Sequence, residues 1–358
     1  MVKIRQRPDG RYEARPRYQG RRFSVYGQTE AEVQAKLAEL ERQLALDQPP
    51  PVSMTVRQLC ERWYSTERRR WKPRTAHDYR RLLERFVYPA IGHVRLSQLS
   101  PDRLQRLFDS IPGRAASQTY RALHRAFVIA VRWSWLAQNP CERVSPPAYR
   151  APQPELPDAE TLARLFRHCL ASDDDYAPLV GLGLATGLRL GEITALRWAD
   201  VDLEAGRISV VRSGQRISGE WVETEPKTRA GRRAVLVGEL GVRLLKRQKA
   251  VVARRKLQAG QAWQEHGLVF PATDGRPLSP DRVSAAVRRL CRQAGVPRLT
   301  FHQLRHGMAS LSLKVGTPLP DVSQRLGHAH PGITSRIYAH ALSDGRQVAE
   351  AIERALGT

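Results

Sequence analysis

Tyr338 is the only tyrosine after Tyr176, and it stands ten residues beyond His328 of a Leu326-Gly327-His328 triplet. Upstream lie His302 and Arg305 as a His-x-x-Arg pair, Lys227 between two strand-like runs, and Arg189 with Glu192 in Thr-Gly-Leu-Arg-Leu-Gly-Glu. These are the groups needed to break a phosphodiester: a nucleophile for phosphorus, cations for the non-bridging oxygens and an acid for the leaving oxygen. A phenol is a weak nucleophile near neutral pH because its ordinary pKa is about 10. A cationic, hydrogen-bonding pocket must help to ionise it.

Each group has a plainer reading. Arg189 and Glu192 are three apart at a helix start and share a face, as an ordinary surface ion pair of little energetic weight would. His302 and Arg305 lie one turn apart and can address one phosphate, the guanidinium with a two-oxygen fork; a charged helix face also contains HxxR. Lys227, in Glu-Pro-Lys-Thr-Arg, is either an exposed turn lysine or a hairpin-tip ammonium able to protonate a leaving 5′-oxygen. His328 begins a loop after Gly327 and can hydrogen-bond a phosphoryl oxygen. A lone tyrosine is usually a core or surface aromatic. Asp173-Asp174-Asp175 reads as a helix-start cap and dipole partner, not as the clustered carboxylates of a two-metal site, so no metal is expected. Cys60, Cys141, Cys169 and Cys291 are scattered without a CxxC, which signals neither zinc nor a disulfide framework. All four are expected to be reduced core residues.

The elements that must carry these groups follow from composition and periodicity. With 358 residues and 41% hydrophobic content, two or three domains are expected. A net charge of +24 and a pI near 10.8 disfavour compactness by self-repulsion unless a polyanion neutralises the charge. Only eight of the 59 basic residues are lysine. GC-rich coding explains that ratio but not the net charge. Nucleic acid fits better than a membrane. The most apolar stretch, Tyr176 to Leu188, is short and interrupted by Pro178, Gly181, Gly183 and Gly187. The N-terminus lacks the apolar run of a signal peptide. A soluble, cytoplasmic protein is expected.

Residues 1–48 read as a three-stranded sheet (Ile4–Arg7, Tyr12–Tyr18, Arg21–Tyr26) with turns at Asp9-Gly10 and Gln19-Gly20. A helix follows from a Thr29 cap to Leu46, with Glu32 completing a capping box. The first 22 residues hold eight basic and two acidic side chains, suiting a sheet that binds DNA. Gln48-Pro49-Pro50-Pro51 is a stiff break. Residues 53–145 read as nearly all helix: Thr55–Tyr64, Lys72–Phe86, Pro101–Ser110 and Ser117–Leu136. Their core faces carry Tyr79, Leu82, Leu83 and Phe86, then Tyr120, Leu123, Phe127, Ala130 and Val131. Arg68, Arg69, Arg70, Arg74, Arg80, Arg81, Arg121 and Arg125 occupy the opposite faces, placed to grip duplex DNA. Pro146, Pro147, Pro152, Pro154 and Pro157 mark a second linker. Residues 155–358 read as helices with a small inserted sheet. Helices at 158–171, 175–187 and 190–197 precede strands at Arg207–Val211, Glu220–Glu225 and Arg233–Leu236. Helices at 239–258, 279–294, 301–314, 318–326, 331–338 and 345–356 follow. The expected fold class is mainly α with small β-sheets (α+β).

Taken in order, Arg in a TGxRxGE context, Lys in a hairpin, HxxRH, LGH and then a tyrosine resemble the catalytic signature of the tyrosine recombinases, the phage-integrase family. Leu326-Gly327-His328-Ala329 and Ile337-Tyr338-Ala339-His340 look like its closing segments. The resemblance covers residues 155–345 strongly. Residues 53–145 are similar to the family's helical core-binding domain, and residues 1–48, by composition, to the arm-binding domain of phage and conjugative-element integrases.

The resemblance implies a site-specific recombinase that integrates or excises a mobile element through a covalent 3′-phosphotyrosine link. Arg189, Arg305, His302 and His328 would surround the scissile phosphate, and His302 is also a candidate acceptor of the tyrosine proton. Lys227 would protonate the departing 5′-hydroxyl, Tyr338 would hold the 3′-phosphate, and Glu192 would fill the acidic support position. His306 and Gly316 are taken as structural. Neither ATP, metal nor any other cofactor is implied. The implied partners are double-stranded attachment-site DNA and three further protomers in a tetramer, with an excisionase or a DNA-bending host factor as candidate accessories. A last helix bearing Val348, Ala351, Ile352 and Leu356 would enter a neighbour's groove or pack on its own domain. A Xer-type resolvase is disfavoured because that group normally lacks an arm-binding segment, and a type IB topoisomerase because its layout differs. A metal-dependent nuclease or transposase and a non-catalytic DNA-binding regulator are the alternatives from other classes.

Overall fold

The fold was described from a computed structural model covering residues 3–18, 21–45, 54–149, 156–226 and 229–328, with 332 and 335. It is mostly helical with small antiparallel sheets, in two compact units, Met1–Pro152 and Gln153–Thr358. Among the described residues no helix is long and apolar enough to cross a membrane.

The first unit opens with β1 (Ile4–Gln6), β2 (Tyr12–Ala14), β3 (Arg17–Tyr18), β4 (Arg21–Arg22) and β5 (Val25–Gly27). Where three strands were expected there is a β1-β2-β5 sheet and a separate β3–β4 hairpin. Pro16 lies at the break, and a residue without an N–H cannot continue a ladder on both sides. Helix α1 (Glu30–Ala45) starts where its capping signal lies. Thr29 Oγ1 accepts from the Glu32 N–H (3.2 Å), while Glu32 reaches back to the Gln28 N–H (2.8 Å), one residue earlier than a capping box requires. Ala14, Val33 and Leu37 form its small core. Part of the basic charge is tied internally: buried Glu13 accepts from Arg15 Nε (2.5 Å) and Arg5 Nη2 (3.5 Å).

A second, larger core in this unit joins α2 (Val56–Glu67), α3 (Pro73–Leu82), α4 (Tyr88–Ile91), α5 (Pro101–Ser110) and α6 (Gly113–Arg132) around Trp63, Leu104, Leu123 and Phe127. The helix expected to end at Phe86 instead runs on through a wide π turn, Leu83–Val87, into α4. Pro89 supplies no N–H and its ring crowds the carbonyl four residues back, which the wider turn relieves. Helix α6 stops four residues before the expected Leu136, because the chain turns at Ser134 with φ +56°. The arginine-rich faces prove less one-signed than expected. Arg80 is half-buried, donating to Glu61 (2.7 Å) and lying over the Tyr64 ring at 4.3 Å, so it ties α3 to α2. Arg74 pairs with Asp78 (3.2 Å), and Arg125 donates to the Tyr79 hydroxyl. Arg68, Arg69 and Arg81 stay exposed.

The second unit is built around α8 (Ala177–Thr186), which is buried on every side, as expected of a helix with no polar face. Against it lie α7 (Ala159–Ala171), the short α9 (Leu190–Thr194), α10 (Glu239–Ala259), α11 (Pro280–Gln293) and α12 (Phe301–Lys314), with α13 (Leu319–Leu326) beyond α12. A Cβ at Gly183 would stand 2.6 Å from the Phe301 ring, so this glycine lets α12 approach closely. Strands β6 (Val201–Asp202), β7 (Arg207–Val210) and β10 (Arg233–Leu236) form one antiparallel sheet in the order β10-β7-β6. Strands β8 (Ser213–Ile217) and β9 (Glu220–Thr224) form a hairpin beside α9. Strand β8 was not anticipated: Ser-Gly-Gln-Arg-Ile lacks apolar alternation, and Gly214 is instead covered by the Trp221 ring.

The three aspartates do not cap α8 as expected. Asp174 does accept from the Tyr176 N–H (2.9 Å), but its carboxylate is gripped by Arg289 through Nε (2.6 Å) and Nη2 (2.9 Å), while Asp175 pairs with Arg254 and Arg255. Arginines arriving from α10 and α11 outcompete a helix terminus for these charges. All four cysteines are buried and unbridged.

Candidate active site

Helix α8 ends because Gly187 adopts a left-handed conformation (φ +66°), which favours glycine, and a Cβ there would displace the Met308 terminal methyl, 2.0 Å away. The chain then enters α9 with Arg189 at its N-cap. Glu192, three residues on, accepts the Arg189 backbone N–H at 2.9 Å and Arg189 Nη1 at 2.7 Å. The expected pairing is therefore present, but it is not the exposed pair of the plainer reading. Glu192 is 5% exposed and also receives the fork of Arg233, Nη1 at 3.2 Å and Nη2 at 2.9 Å. Burial pushes the Glu192 carboxyl pKa up, but bonding to Arg233, with Arg189 second, outweighs it and holds the group ionised below the usual range. The Arg189 side chain stays 40% exposed, and its Nη2 donates to the Gly327 carbonyl at 2.9 Å.

Thr300 caps α12 in a full capping box with Gln303, which sets His302 in the first turn and Arg305 in the second. Arg305 is 2% exposed. It donates to the Gly187 carbonyl (2.6 Å), to the Leu326 carbonyl (2.8 Å) and to His328 Nε2 (3.1 Å). A guanidinium can only donate, so His328 Nε2 is an acceptor and the neutral ring carries its proton on Nδ1. Gly327, again left-handed (φ +67°), turns the chain at the end of α13 and presents His328 to Arg305.

Four predicted residues thus converge from three separated segments: Arg189 from the start of α9, His302 and Arg305 from α12, and His328 from the end of α13. The electrostatics agree. Desolvation, then the charges of Arg305 and Arg189, lower the pKa of His302, although its ring remains open to solvent. Desolvation, then Arg305 and Arg189, push His328 down to about 4. His306, edge-on to His302 with ring centroids 4.3 Å apart, is likewise at about 4, from desolvation and then the neighbouring His302 and Arg305. All three shifts favour the neutral imidazole. Lys227, Tyr338 and the final predicted helix lie outside the described residues.

A pH dependence follows with a definite sign. An imidazole that titrates near 6.5 unfolded but near 4 folded binds fewer protons in the folded state between those values. The contribution of His306 and His328 to stability is complete above about pH 6.5 and is lost progressively as the pH falls towards 4. Glu192, with a lowered pKa, gives way only further down. The melting temperature of His328→Gln should decline less steeply than that of the unsubstituted chain between pH 6.5 and 4.5. Equal slopes would mean that His328 titrates normally.

Two arginines of this site escaped the sequence reading. Arg233 joins Glu192 to the Arg325 carbonyl (Nε at 2.6 Å), and Arg325 donates to the Ala185 carbonyl (3.1 Å). A signal for Arg233 was available: it shares the inward side of β10 with buried Val235, and an arginine at an inward position needs a buried anion.

Residues 158–344 match the Phage integrase family and residues 56–146 match its central domain. An integrase of Streptomyces ambofaciens is 27% identical over 87% of this chain and 83% of its own length. A tyrosine recombinase XerC-like protein of Caldanaerobacter subterraneus subsp. tengcongensis is 26% identical over 93% of this chain and 90% of its own. Among solved structures, the Tn1549 transposon integrase in complex with transposon right-end DNA superposes with a TM-score of 0.67 at 20% identity, over 85% of this chain and all of that one. A lambda integrase dimer bound to a core site gives 0.58 at 18% identity, over 94% of each chain. With over half its length matched, the chain belongs to the phage integrase family, the tyrosine recombinases that cut and rejoin DNA.

Proposed function

We propose that this protein is the integrase of a mobile element, cutting and rejoining attachment-site DNA through a 3′-phosphotyrosine intermediate on Tyr338. The observation that carries the reading is the meeting of Arg189, Arg305, His302 and His328, with both guanidiniums anchored by fixed backbone carbonyls. Cations held this way need little reorganisation when charge builds on a phosphate, which is where electrostatic stabilisation is strongest.

In the proposed reaction the Tyr338 hydroxyl oxygen attacks phosphorus and passes its proton to His302, which is neutral and able to accept it. Arg189 and Arg305 neutralise the non-bridging oxygens of the pentacoordinate state, and the Nδ1–H of His328 is a further donor to them. The bond from phosphorus to the 5′-oxygen breaks, and Lys227 supplies the proton that the leaving oxygen takes up. A 5′-hydroxyl of the partner strand then attacks the ester and releases Tyr338. The ester conserves the free energy of the broken bond, so resealing needs neither ATP nor a metal.

In this reading residues 155–358 form the catalytic domain, 53–145 hold the core site and the basic unit 1–48 binds arm-type DNA. The working assembly is a tetramer on two attachment sites, as in the lambda integrase tetramer bound to a Holliday junction. Excisionase or a DNA-bending host factor would act on that assembly. The arm unit favours an integrase over a resolvase of the Xer type. Incubation with a nicked candidate attachment site in EDTA, followed by denaturing electrophoresis, tests the proposal. A DNA–protein adduct that maps to Tyr338 is expected at undiminished yield. Cleavage that needs added magnesium and leaves no adduct would instead indicate a metal-dependent nuclease.

A further inference from the structure

We propose that Arg233 is a positioning residue for strand cleavage, keeping the charge of Arg189 available to the scissile phosphate and fixing the Gly327-His328 turn. The inference rests on the recombinase reading above and deepens it. The Arg233 side chain is 4% exposed, and its guanidinium donates four hydrogen bonds. Nη1 and Nη2 fork onto the Glu192 carboxylate, Nη1 also reaches the Gly231 carbonyl (3.3 Å), and Nε donates to the Arg325 carbonyl (2.6 Å).

Two consequences follow from this geometry. The first is electrostatic. Glu192 lies between two guanidiniums, one buried and one facing outward. Arg233 neutralises the carboxylate from the inside, which leaves the Arg189–Glu192–Arg233 triad with one net positive charge, on the exposed Arg189 and in addition to that of Arg305. Without Arg233, Arg189 would be the sole counterion of a buried carboxylate and would be held to it instead of to a phosphate. The second is steric. A Cβ at Gly327 would lie 2.8 Å from Arg233 Nη1 and 3.0 Å from the Ala230 carbonyl, so the turn that presents His328 is seated directly on this guanidinium. One side chain of β10 therefore sets both Arg189 and the turn at the end of α13. Lysine could replace the charge but not the planar fork together with the third bond to Arg325.

The test uses the full chain and a nicked attachment-site duplex, with single-turnover cleavage at saturating DNA. Arg233→Lys should slow cleavage roughly 10- to 100-fold, the scale expected when reacting groups are displaced by a fraction of an ångström to one ångström. DNA affinity should change less than about threefold, because the phosphate contacts that dominate binding lie elsewhere. A purely structural role would not show coupling to Glu192. In a Glu192→Gln background, Arg233→Lys should therefore cost less than about threefold more. Should Arg233→Lys fold poorly, Glu192→Gln with Arg233→Gln removes both charges and avoids stranding one. That pair should cleave faster than Arg233→Gln alone. Wild-type cleavage by Arg233→Lys, additive losses, or no recovery in the paired variant would overturn the proposal. Failure of the unsubstituted chain to form a Tyr338 adduct would instead overturn the recombinase reading.

Discussion

Arg305→Ala is expected to reduce strand cleavage by about 10³-fold or more, the upper end of what removal of a preorganised oxyanion donor costs. The residue is suited to a larger effect than a surface arginine because it is 2% exposed and bridges three sites: the end of α8 at Gly187, the end of α13 at Leu326, and His328. Its loss removes a phosphate cation and leaves two carbonyls without their donor, at about 1–3 kcal/mol for each buried group left unsatisfied. A lower melting temperature should accompany the catalytic loss. Arg305→Lys separates the two effects. It keeps the charge, loses the fork, and should recover stability more than rate. Cleavage at near-normal rate in either variant would remove Arg305 from the reaction. Unchanged melting together with lost cleavage would mean that the carbonyl contacts carry little weight.

Tyr338→Phe is expected to abolish the covalent adduct and strand exchange while leaving DNA binding within about twofold. Removing one hydroxyl deletes the nucleophile and no cation, and loss of a nucleophile typically costs on the order of 10⁴-fold or more in rate. Binding depends on phosphate contacts spread over many basic side chains, so its salt dependence should also be unchanged. Gel-shift titration at several salt concentrations, run beside a denaturing gel, distinguishes the two quantities. An adduct that persists in Tyr338→Phe would place the nucleophile elsewhere, and peptide mapping of that adduct would identify it. DNA binding without any adduct or recombination, in the unsubstituted chain as well as in Tyr338→Phe, would leave only the DNA-binding regulator.

Arg189, His302, Arg305 and His328 could be named before any fold was known, because the order of residue types along the chain resembles the family's signature. Taken singly, each of them has a plainer use. Helix boundaries on α5, α11, α12 and α13 came within a residue or so, since capping residues and apolar periodicity act over one or two turns. Where local signals were poor the reading faltered. Strand β8 offers glycine and polar residues, β6 is two residues long, and the π turn before α4 answers a proline six residues beyond its first residue.

The sequence by itself determined the mainly helical fold class and a basic charge that favours a polyanionic partner, and its motifs resemble one family, from which the roles proposed for Arg189, Lys227, His302, Arg305, His328 and Tyr338 follow. The fold class and the charge depend only on composition and near-neighbour spacing. The tertiary structure alone decided that Glu192 is a buried charge shared by two arginines, that Arg233 and Arg325 belong to the site, that Asp174 and Asp175 are held by α11 and α10, and that His328 accepts rather than donates at Nε2. The physical reason is range. Arg233 is 41 residues from Glu192 and Arg189 is 138 from Gly327, and nothing in the local pattern at either end encodes the other. Only the packing of α9, α12, α13 and β10 brings those groups together, and burial of Glu192 makes its pairing with Arg233 obligatory.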